Sequence, residues 1–232
     1  MVNVGAVIPA AGLGKRMRAE CNKQFLSLAG FPIIAHTIQV FQLSNFISEI
    51  VIVGARNDIL NITEIVRNQK FNKVSAITSG GSQRQDSVLR GVEALSSAAQ
   101  RVVVHDGARP LLTLEQLNQF LEDSEGFSAA ITAIPVKDTI KRITETGLVV
   151  ETPPREFLRA AQTPQVFNRS ILEKVHKKAA EQGYYGTDDA SLLEWQGYSV
   201  TVLEGYSENI KITTPEDLWL AEHIIEQRVT PL

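Results

Sequence analysis

Short apolar runs alternate with longer amphipathic segments along the first 136 residues of the chain. The apolar runs are rich in Val and Ile, which predicts buried strands, and the segments between them carry the spacing of helices. The predicted strands are 4–10, 49–55, 73–81, 101–110 and 129–136, and the predicted helices are 32–43, 57–69, 82–97 and 113–123. This alternation predicts an α/β fold in which a mostly parallel sheet carries helices on both faces.

Capping signals mark the beginnings of three predicted helices. A Ser-x-x-Gln pattern at 82–85 and a Thr-x-x-Gln pattern at 113–116 each have the form of a capping box. Thr214 is suited to the N-cap of the last helix, and Pro215 is suited to its first helical position. The remaining predicted elements are helices at 168–182, 187–196 and 214–227 and strands at 199–205 and 209–213.

Residues 137–160 have a different pattern, because polar and β-branched residues alternate on either side of Glu-Thr-Gly at 145–147. The pattern predicts a two-stranded hairpin, which we call the arm. Since such a ribbon is marginally stable alone, we expect the arm to rest either on its own domain or on a partner subunit. The chain as a whole is predicted to form one domain, 1–232, from which the arm protrudes.

Polar residues follow three of the predicted strands. The first cluster is the sequence PAAGLGKRM at 9–17, which we call the opening loop; the others are Gly80-Gly81 and His105-Asp106. In parallel sheets, ligands bind beyond the carboxyl ends of the strands. We therefore expect these three clusters to meet at a single site.

The opening loop is rich in glycine and carries cations, yet it matches neither the P-loop nor the dinucleotide-binding pattern. The small residues from Ala10 to Gly14 let a ligand approach the backbone, and exposed N–H groups there can bind an anion. Arg16 and Lys23 add positive charge. Taken alone, the loop is compatible with a phosphate site or with a tight turn that has a solvated basic rim.

Composition narrows the classes of partner. The formal net charge of −3 does not favour a nucleic-acid-binding protein, which would usually be basic. No apolar run approaches the length of a membrane span, so no membrane partner is expected. The single cysteine, Cys21, cannot form an intrachain disulfide, which predicts a reducing, cytoplasmic compartment.

Eight sequence blocks in order carry a resemblance to a known family. They are PAAGLGKRM (9–17), KQFL (23–26), GGSQRQDSV (80–88), VVHDGARP (103–110), VKDTIKR (136–142), QTPQVF (162–167), TDDAS (187–191) and ENIKITTPEDL (208–218). The opening resembles the signature of nucleotidyltransferases that activate sugar or polyol phosphates. The chain as a whole resembles the 2-C-methyl-D-erythritol 4-phosphate cytidylyltransferase family of the non-mevalonate isoprenoid pathway.

The resemblance implies a Rossmann-like domain and a homodimer held by the arm. It also implies a reaction in which the phosphate of methylerythritol phosphate attacks the α-phosphorus of CTP and releases pyrophosphate. Mg²⁺ would be bound mainly through the CTP phosphates, with no metal ligand from the protein.

Site residues follow from the same resemblance by position. The catalytic residues would be Arg16, Lys23, Arg155 and Lys211; the CTP-binding residues would be Ala10, Ala11, Gly12, Gly14, Gly81, Ser82 and Ser87; and the substrate-binding residues would be Asp106, Arg109, Thr139 and Thr163. Some of the arm residues would reach across from the partner subunit.

Several of these residues also have structural interpretations. Asp188 and Asp189 are predicted to cap a helix and to occupy its first turn, and His105 is predicted to pack or to bond a nearby loop. Lys211 and Arg155 could instead be solvated. Two other functions stay open at this point: a ribitol 5-phosphate cytidylyltransferase, and a nucleotide-binding module without catalysis.

Overall fold

The computed structural model of the protein describes residues 3–12 and 22–229. The strands are β1 (Val4–Ala10), β2 (Ser27–Leu28), β3 (Phe31–Pro32), β4 (Ile47–Gly54), β5 (Val74–Ser79), β6 (Arg101–Val104), β7 (Ala129–Pro135), β8 (Arg142–Ile143), β9 (Val149–Glu151), β10 (Arg159–Asn168) and β11 (Thr201–Glu204). The helices are α1 (Ile33–Leu43), α2 (Ile59–Asn68), α3 (Arg84–Ala94), α4 (Leu114–Asp123), α5 (Arg169–Glu181), α6 (Asp189–Trp195) and α7 (Pro215–Val229).

Seven of the strands form one sheet in the order β11-β7-β10-β6-β1-β4-β5. Strands β5, β4, β1 and β6 run parallel, and β11 runs parallel to β7. Strand β10 is antiparallel to both of its neighbours, β6 and β7. The predicted α/β fold with a mostly parallel sheet is therefore confirmed, with one inserted antiparallel strand that the sequence pattern did not reveal.

Helices cover both faces of this sheet, which explains the near-continuous apolar runs of its central strands. Strand β1 illustrates the arrangement, because successive side chains of a strand point to opposite faces. Ala6 and Ile8 pack in one buried cluster with Ile38 of α1. Val7 packs in the other cluster, with Val92 of α3. Both faces of β1 are consequently packed against apolar side chains.

Most helix starts agree with the predicted capping signals. Thr113 and Gln116 form the expected capping box at α4, and the Thr214 hydroxyl accepts from the backbone N–H of Asp217 at α7. The capping box predicted for residues 82–85 is wrong by one position. Helix α3 begins at Arg84, and its capping box is formed by Gln83 and Asp86.

The predicted strand at 209–213 is also wrong, because this segment is extended but pairs with no strand among the described residues. Instead, the backbone N–H of Ile212 donates to the carbonyl of Ala108 at 2.9 Å. The buried side chain of Asn209 donates to the carbonyl of Thr163 at 2.7 Å. The alternating pattern arises because Ile212 is buried in the core while Lys211 faces the other way.

The arm is the hairpin that the pattern predicted. Strands β8 and β9 pair antiparallel, and the backbone N–H of Thr144 donates to the carbonyl of Leu148 at 2.9 Å. Gly147 has a positive φ of 84° at the turn, a conformation that glycine adopts without strain. The apolar side chains of the arm are largely exposed; Leu148 is 69% and Val149 60% accessible.

Within 3–12 and 22–229, none of the helices combines the length and the apolar character that crossing a bilayer requires.

Candidate active site

A cavity of about 450 Å³ opens beyond the carboxyl ends of β1, β5 and β6. The three polar clusters that follow these strands all contribute to its lining, as the fold argument predicted. Backbone hydrogen bonds join the loops after β1 and β6: the N–H of His105 donates to the carbonyl of Val7 at 3.0 Å, and that of Gly107 to the carbonyl of Pro9 at 3.1 Å. The two loops therefore form one continuous surface.

One wall of the cavity is made of small residues. Ala10, Ala11 and Gly12 come from the loop after β1, and they face Gly81 from the loop after β5. The approach is close, because a Cβ placed on Gly80 would lie 2.7 Å from the Cβ of Ala11. The small side chains thus leave the backbone of this wall open to a ligand, and Gly80 has no room for a side chain beside Ala11.

The beginning of helix α3 forms the rim of this wall. The hydroxyl of Ser87 accepts from the backbone N–H of Gly81 at 3.1 Å and lies 3.0 Å from the carbonyl of Gln83. The hydroxyl of Ser82 donates to the carboxylate of Asp86 at 2.7 Å. Since the amino end of a helix carries partial positive charge, this rim favours anions.

Asp106 is the centre of the opposite wall. The residue is only 7% exposed. Its carboxylate lies 3.3 Å from Nε of Arg84 and 2.8 Å from Nζ of Lys211. Nε of Arg109 lies 3.7 Å from the same carboxylate. The backbone N–H of Asp106 donates to the hydroxyl of Thr163 at 3.0 Å. Burial alone would raise the pKa of Asp106, but the surrounding cations outweigh burial and lower it.

Lys23 closes the remaining side of the cavity. Its Nζ donates to the backbone carbonyl of Ile212 at 2.9 Å, so the C-terminal segment fixes its position. The neighbouring Gln24 is buried and donates to the carbonyl of Ala10. Among the described side chains of the lining, three cations, from Lys23, Arg84 and Lys211, face one carboxylate. The cavity is therefore built for an anion.

His105 lies under the cavity. It is fully buried, its Nε2 is 3.0 Å from the carbonyl of Arg109, and its ring is 5.3 Å from that of Phe41. Burial lowers the pKa of His105 to about 4, so the imidazole is neutral at neutral pH. The predicted packing and hydrogen-bonding role of His105 is confirmed.

The cavity brings together most of the predicted site residues. Those in its lining are Ala10, Ala11, Gly12, Lys23, Gly81, Ser82, Ser87, Asp106 and Lys211. Arg109 and Thr163 contact Asp106 from beneath. Gly14 and Arg16 lie outside the described residues.

The two predicted residues on the arm are placed apart from the cavity lining. Thr139 is exposed, and so is Arg155, whose Nη1 donates to the carbonyl of Lys137 at 2.7 Å. Within one subunit, the structure therefore leaves Thr139 and Arg155 separate from the residues gathered around Asp106.

Sequence reasoning missed Arg84 as a cavity residue. Arg84 lies in the GGSQRQDSV block. The predicted capping box was one position too early and involved Ser82 and Gln85 rather than Arg84. A cation three positions after a glycine pair, near the start of a helix, was the available signal. The alternative that Lys211 is a solvated residue is wrong, because its ammonium group pairs with Asp106.

The predicted placement of both aspartates of TDDAS is confirmed. Asp188 is the N-cap of α6 and accepts from the backbone N–H of Ser191 at 2.9 Å. Asp189 occupies the first turn, but its side chain turns inward and pairs with Arg84 at 2.7 Å. Its contribution is therefore not limited to the helix dipole.

The described residues include no group of three or more His, Cys, Asp or Glu side chains placed to hold a metal ion. Asp106 is the one carboxylate among the described lining residues, and cations occupy both of its oxygens.

The family model for 2-C-methyl-D-erythritol 4-phosphate cytidylyltransferase matches residues 4–227. The chain belongs to this family. A family member from Halalkalibacterium halodurans is 47% identical over 222 residues, which cover 96% of each chain. Another from Desulforamulus reducens is 43% identical over 229 residues, which cover 98% of each chain.

Solved structures agree with this cytidylyltransferase assignment. The crystal structure of 4-diphosphocytidyl-2C-methyl-D-erythritol synthase from Anaerococcus prevotii has a TM-score of 0.85 at 29% identity and matches 97% of this chain and 96% of its own. That of 2-C-methyl-D-erythritol 4-phosphate cytidylyltransferase from Thermus thermophilus has a TM-score of 0.78 at 32% identity, with 97% and 99% covered. The family resemblance carried by the eight sequence blocks is thereby confirmed.

Proposed function

We propose that the protein transfers the cytidylyl group of CTP to 2-C-methyl-D-erythritol 4-phosphate. A phosphate oxygen of the polyol substrate forms a bond to the α-phosphorus of CTP, the bond from that phosphorus to the bridging oxygen breaks, and pyrophosphate leaves with the electron pair. The observation that carries the proposal is one cavity in which a wall of small residues faces the ionised carboxylate of Asp106 and three lining cations, two of which, Arg84 and Lys211, pair with that carboxylate. Family membership makes the protein a CTP-dependent cytidylyltransferase.

The small-residue wall suits the nucleotide. Ala10, Ala11, Gly12 and Gly81 expose backbone groups that can read the edge of a pyrimidine. The close packing of Gly80 against Ala11 supports the exclusion of a larger purine. Ser82, Ser87 and Gly14 complete the proposed CTP site.

The cluster around Asp106 suits the polyol phosphate. Lys211 and Arg109 are cations that can hold a phosphate, while the carboxylate and Thr163 can bond hydroxyl groups. The attacking phosphate is already ionised at neutral pH, so no general base is required. Neutral His105 beneath the cluster fits this scheme as a structural residue.

The reaction brings two anions together, and their repulsion must be offset. Lys23 lies between the two walls, and its fixed ammonium group can stabilise the charge that grows on the pentacoordinate phosphorus and on the leaving group. We assign the same role to Arg16. Because these charges are held in place before the reaction, they need no reorganisation during it.

Mg²⁺ is the proposed cofactor. Bound Mg²⁺ would neutralise part of the triphosphate charge. Since Asp106 is already paired with cations, the ion would be held mainly by the CTP phosphates, and Mg²⁺ is often held by substrate phosphates in this way.

We further propose a homodimer in which the arm of one subunit completes the site of the other. Exposed apolar side chains on a two-stranded ribbon support a protein partner for the arm. Arg155 and Thr139 would then reach a neighbouring cavity. The single-domain organisation of 1–232 and a cytoplasmic location, based on one cysteine, complete the proposal.

The family assignment favours methylerythritol phosphate over ribitol 5-phosphate and catalysis over mere nucleotide binding. The test is a nucleotide panel in which pyrophosphate release is followed with Mg²⁺ and methylerythritol phosphate. We expect turnover with CTP, at least tenfold less with UTP, and none above background with ATP or GTP, in keeping with a base pocket that admits one pyrimidine. Equal turnover with a purine nucleotide would contradict the assignment of the small-residue wall.

A further inference from the structure

A line of polar side chains, His176, Asp189, Arg84 and Asp106, runs from the interior beside helix α5 to the cavity. His176 and Asp189 are each about 1% exposed, and Nε2 of His176 lies 3.3 Å from the carboxylate of Asp189. The other carboxylate oxygen of Asp189 accepts from Nη1 of Arg84 at 2.7 Å. Nε of the same guanidinium lies 3.3 Å from Asp106. One arginine thus bridges a buried carboxylate and the carboxylate of the site.

The geometry fixes Arg84 more firmly than a single ion pair would. A guanidinium is planar and presents its donors in a rigid fork, so two partners on different nitrogens define its orientation. Burial alone would raise the pKa of Asp189, but the charge of Arg84 outweighs burial and lowers it. Asp189 is therefore ionised, and it supplies Arg84 with a permanent partner on the side away from the cavity.

The contacts of the site divide into two sets. Lys211, Arg109 and Thr163 all contact Asp106, so the proposed polyol-phosphate site depends on where that carboxylate points. On the CTP side, the hydroxyl of Ser82 bonds Asp86, and that of Ser87 bonds backbone groups of the same loop. Arg84 is joined to the first set through Asp106.

We propose that Asp189 is a positioning residue, which holds Arg84 so that Arg84 fixes the carboxylate of Asp106 toward Lys211. This inference rests on the proposed function and adds a residue outside the cavity to it. Asp189 acts through Arg84 on the binding of the polyol phosphate, whereas the hydroxyl contacts of Ser82 and Ser87 on the CTP side do not involve Asp189.

The test is Asp189→Asn, which keeps the size of the side chain and removes its charge. We expect the KM for methylerythritol phosphate to rise about fivefold or more, because loss of alignment in the Asp106 set weakens that substrate. The KM for CTP should stay within about twofold of the wild-type value. A general loosening of the fold would not separate the two substrates in this way.

Asp188→Asn is the matched control. It removes the same charge from the adjacent position, and Asn is as good an N-cap as Asp. The contacts of Asp188 go to Ser191 and Gln165, so both KM values should remain those of the wild type. If Asp189→Asn gives the same two KM values as Asp188→Asn while the wild type turns over normally, the inference is overturned and the proposed function stands.

Arg84→Lys tests the same link from the cavity side, including the case in which Asp189→Asn does not fold. The charge of a lysine is carried by one nitrogen, so it does not bridge Asp189 and Asp106 as the separate nitrogens of a guanidinium do. We expect the same selective rise in the KM for methylerythritol phosphate, and an unchanged value would overturn the inference. In a folded double variant, Asp189→Asn should add less than about twofold to Arg84→Lys; a full additional effect would show that Asp189 acts by another route. Absence of turnover by the wild type would instead overturn the proposed function itself.

Discussion

The cavity and the arm carry residues of the same predicted site, yet they differ in almost every physical respect. Around the cavity, Asp106 is buried, ionised and held by several partners. On the arm, Arg155 is exposed and bonds only the backbone of Lys137 among its described hydrogen bonds. The cavity is preorganised within one chain, whereas the arm presents apolar and basic groups that the described residues, 3–12 and 22–229, do not cover.

The difference between the cavity and the arm suggests a separate function for each region. A preorganised cluster of charges is what a transition state with growing negative charge requires. A solvated ribbon with exposed Leu148 and Val149 has no such order in one subunit, and burial against a second copy would supply it. We therefore propose that charge stabilisation lies in the cavity and that completion of the substrate site depends on the proposed dimer.

The largest effect is expected for a cation of the cavity. Lys23→Ala should lower kcat by about 10²-fold or more, because a fixed charge beside the reacting phosphates is lost. Steady-state pyrophosphate release at saturating substrates measures this change, with Lys177→Ala at an exposed position of α5 as the control. Near-normal turnover of Lys23→Ala would remove Lys23 from the catalytic residues.

Mixing two inactive variants tests whether the arm acts on its own cavity or on that of its partner. Arg155→Ala and Lys211→Ala should each lose most of their activity, by about tenfold or more. If arms are exchanged, half of the randomly mixed dimers carry one intact site, so the mixture should recover about a quarter of wild-type activity. Recovery should require unfolding and refolding the chains together if subunits exchange slowly. No recovery in a mixture shown to contain heterodimers would place the arm over its own cavity.

The apolar surface of the arm offers a test of the dimer itself. Leu148→Glu should weaken the dimer by about tenfold or more in Kd, because a charge would have to be buried with the arm. Sedimentation velocity over a range of concentrations measures the shift. Leu60→Glu, at an exposed leucine of α2, is the matched control and should leave the dimer unchanged. Equal dimerisation of both variants would contradict an interface built on the arm.

The smallest effect concerns stability under the cavity. Because the pKa of His105 is lowered to about 4, its neutral form favours the folded state, and that contribution falls as pH drops below the unfolded value of 6.5. Between pH 7.5 and pH 6, His105 should account for about 1 kcal/mol of lost unfolding free energy. His105→Gln should remove that slope in urea titrations, whereas His223→Gln on the exposed face of α7 should keep it. An unchanged slope in His105→Gln would show that His105 is not the group responsible.

Much of the difference between the cavity and the arm could be predicted from the sequence. The alternation of apolar runs predicts the parallel strands, and the polar clusters after β1, β5 and β6 do line one cavity. Local patterns were less informative where tertiary contacts decide the structure. Residues 209–213 alternate like a strand because Ile212 packs inward and Lys211 reaches Asp106.

Other features depend on contacts between segments distant in sequence. Asp189 has the local signature of a helix cap, and its pairing with Arg84 spans 105 positions along the chain. The antiparallel insertion of β10 likewise depends on the path of the chain after the arm. The contact of the arm with a partner subunit is predicted from the family resemblance alone. The hairpin pattern does not reveal it, because its periodicity is the same whether the ribbon folds back on its own domain or crosses to a partner.

The central claim is that the cavity selects methylerythritol phosphate for attack on CTP. It is tested most directly by giving the protein CTP, Mg²⁺ and equal amounts of methylerythritol phosphate and ribitol 5-phosphate in one reaction, and by separating the two cytidylyl products by mass. At equal concentrations, the ratio of the two products equals the ratio of the two kcat/KM values. We expect this ratio to favour methylerythritol phosphate by about 10²-fold or more. Equal amounts of the two products, or an excess of the ribitol product, would contradict it.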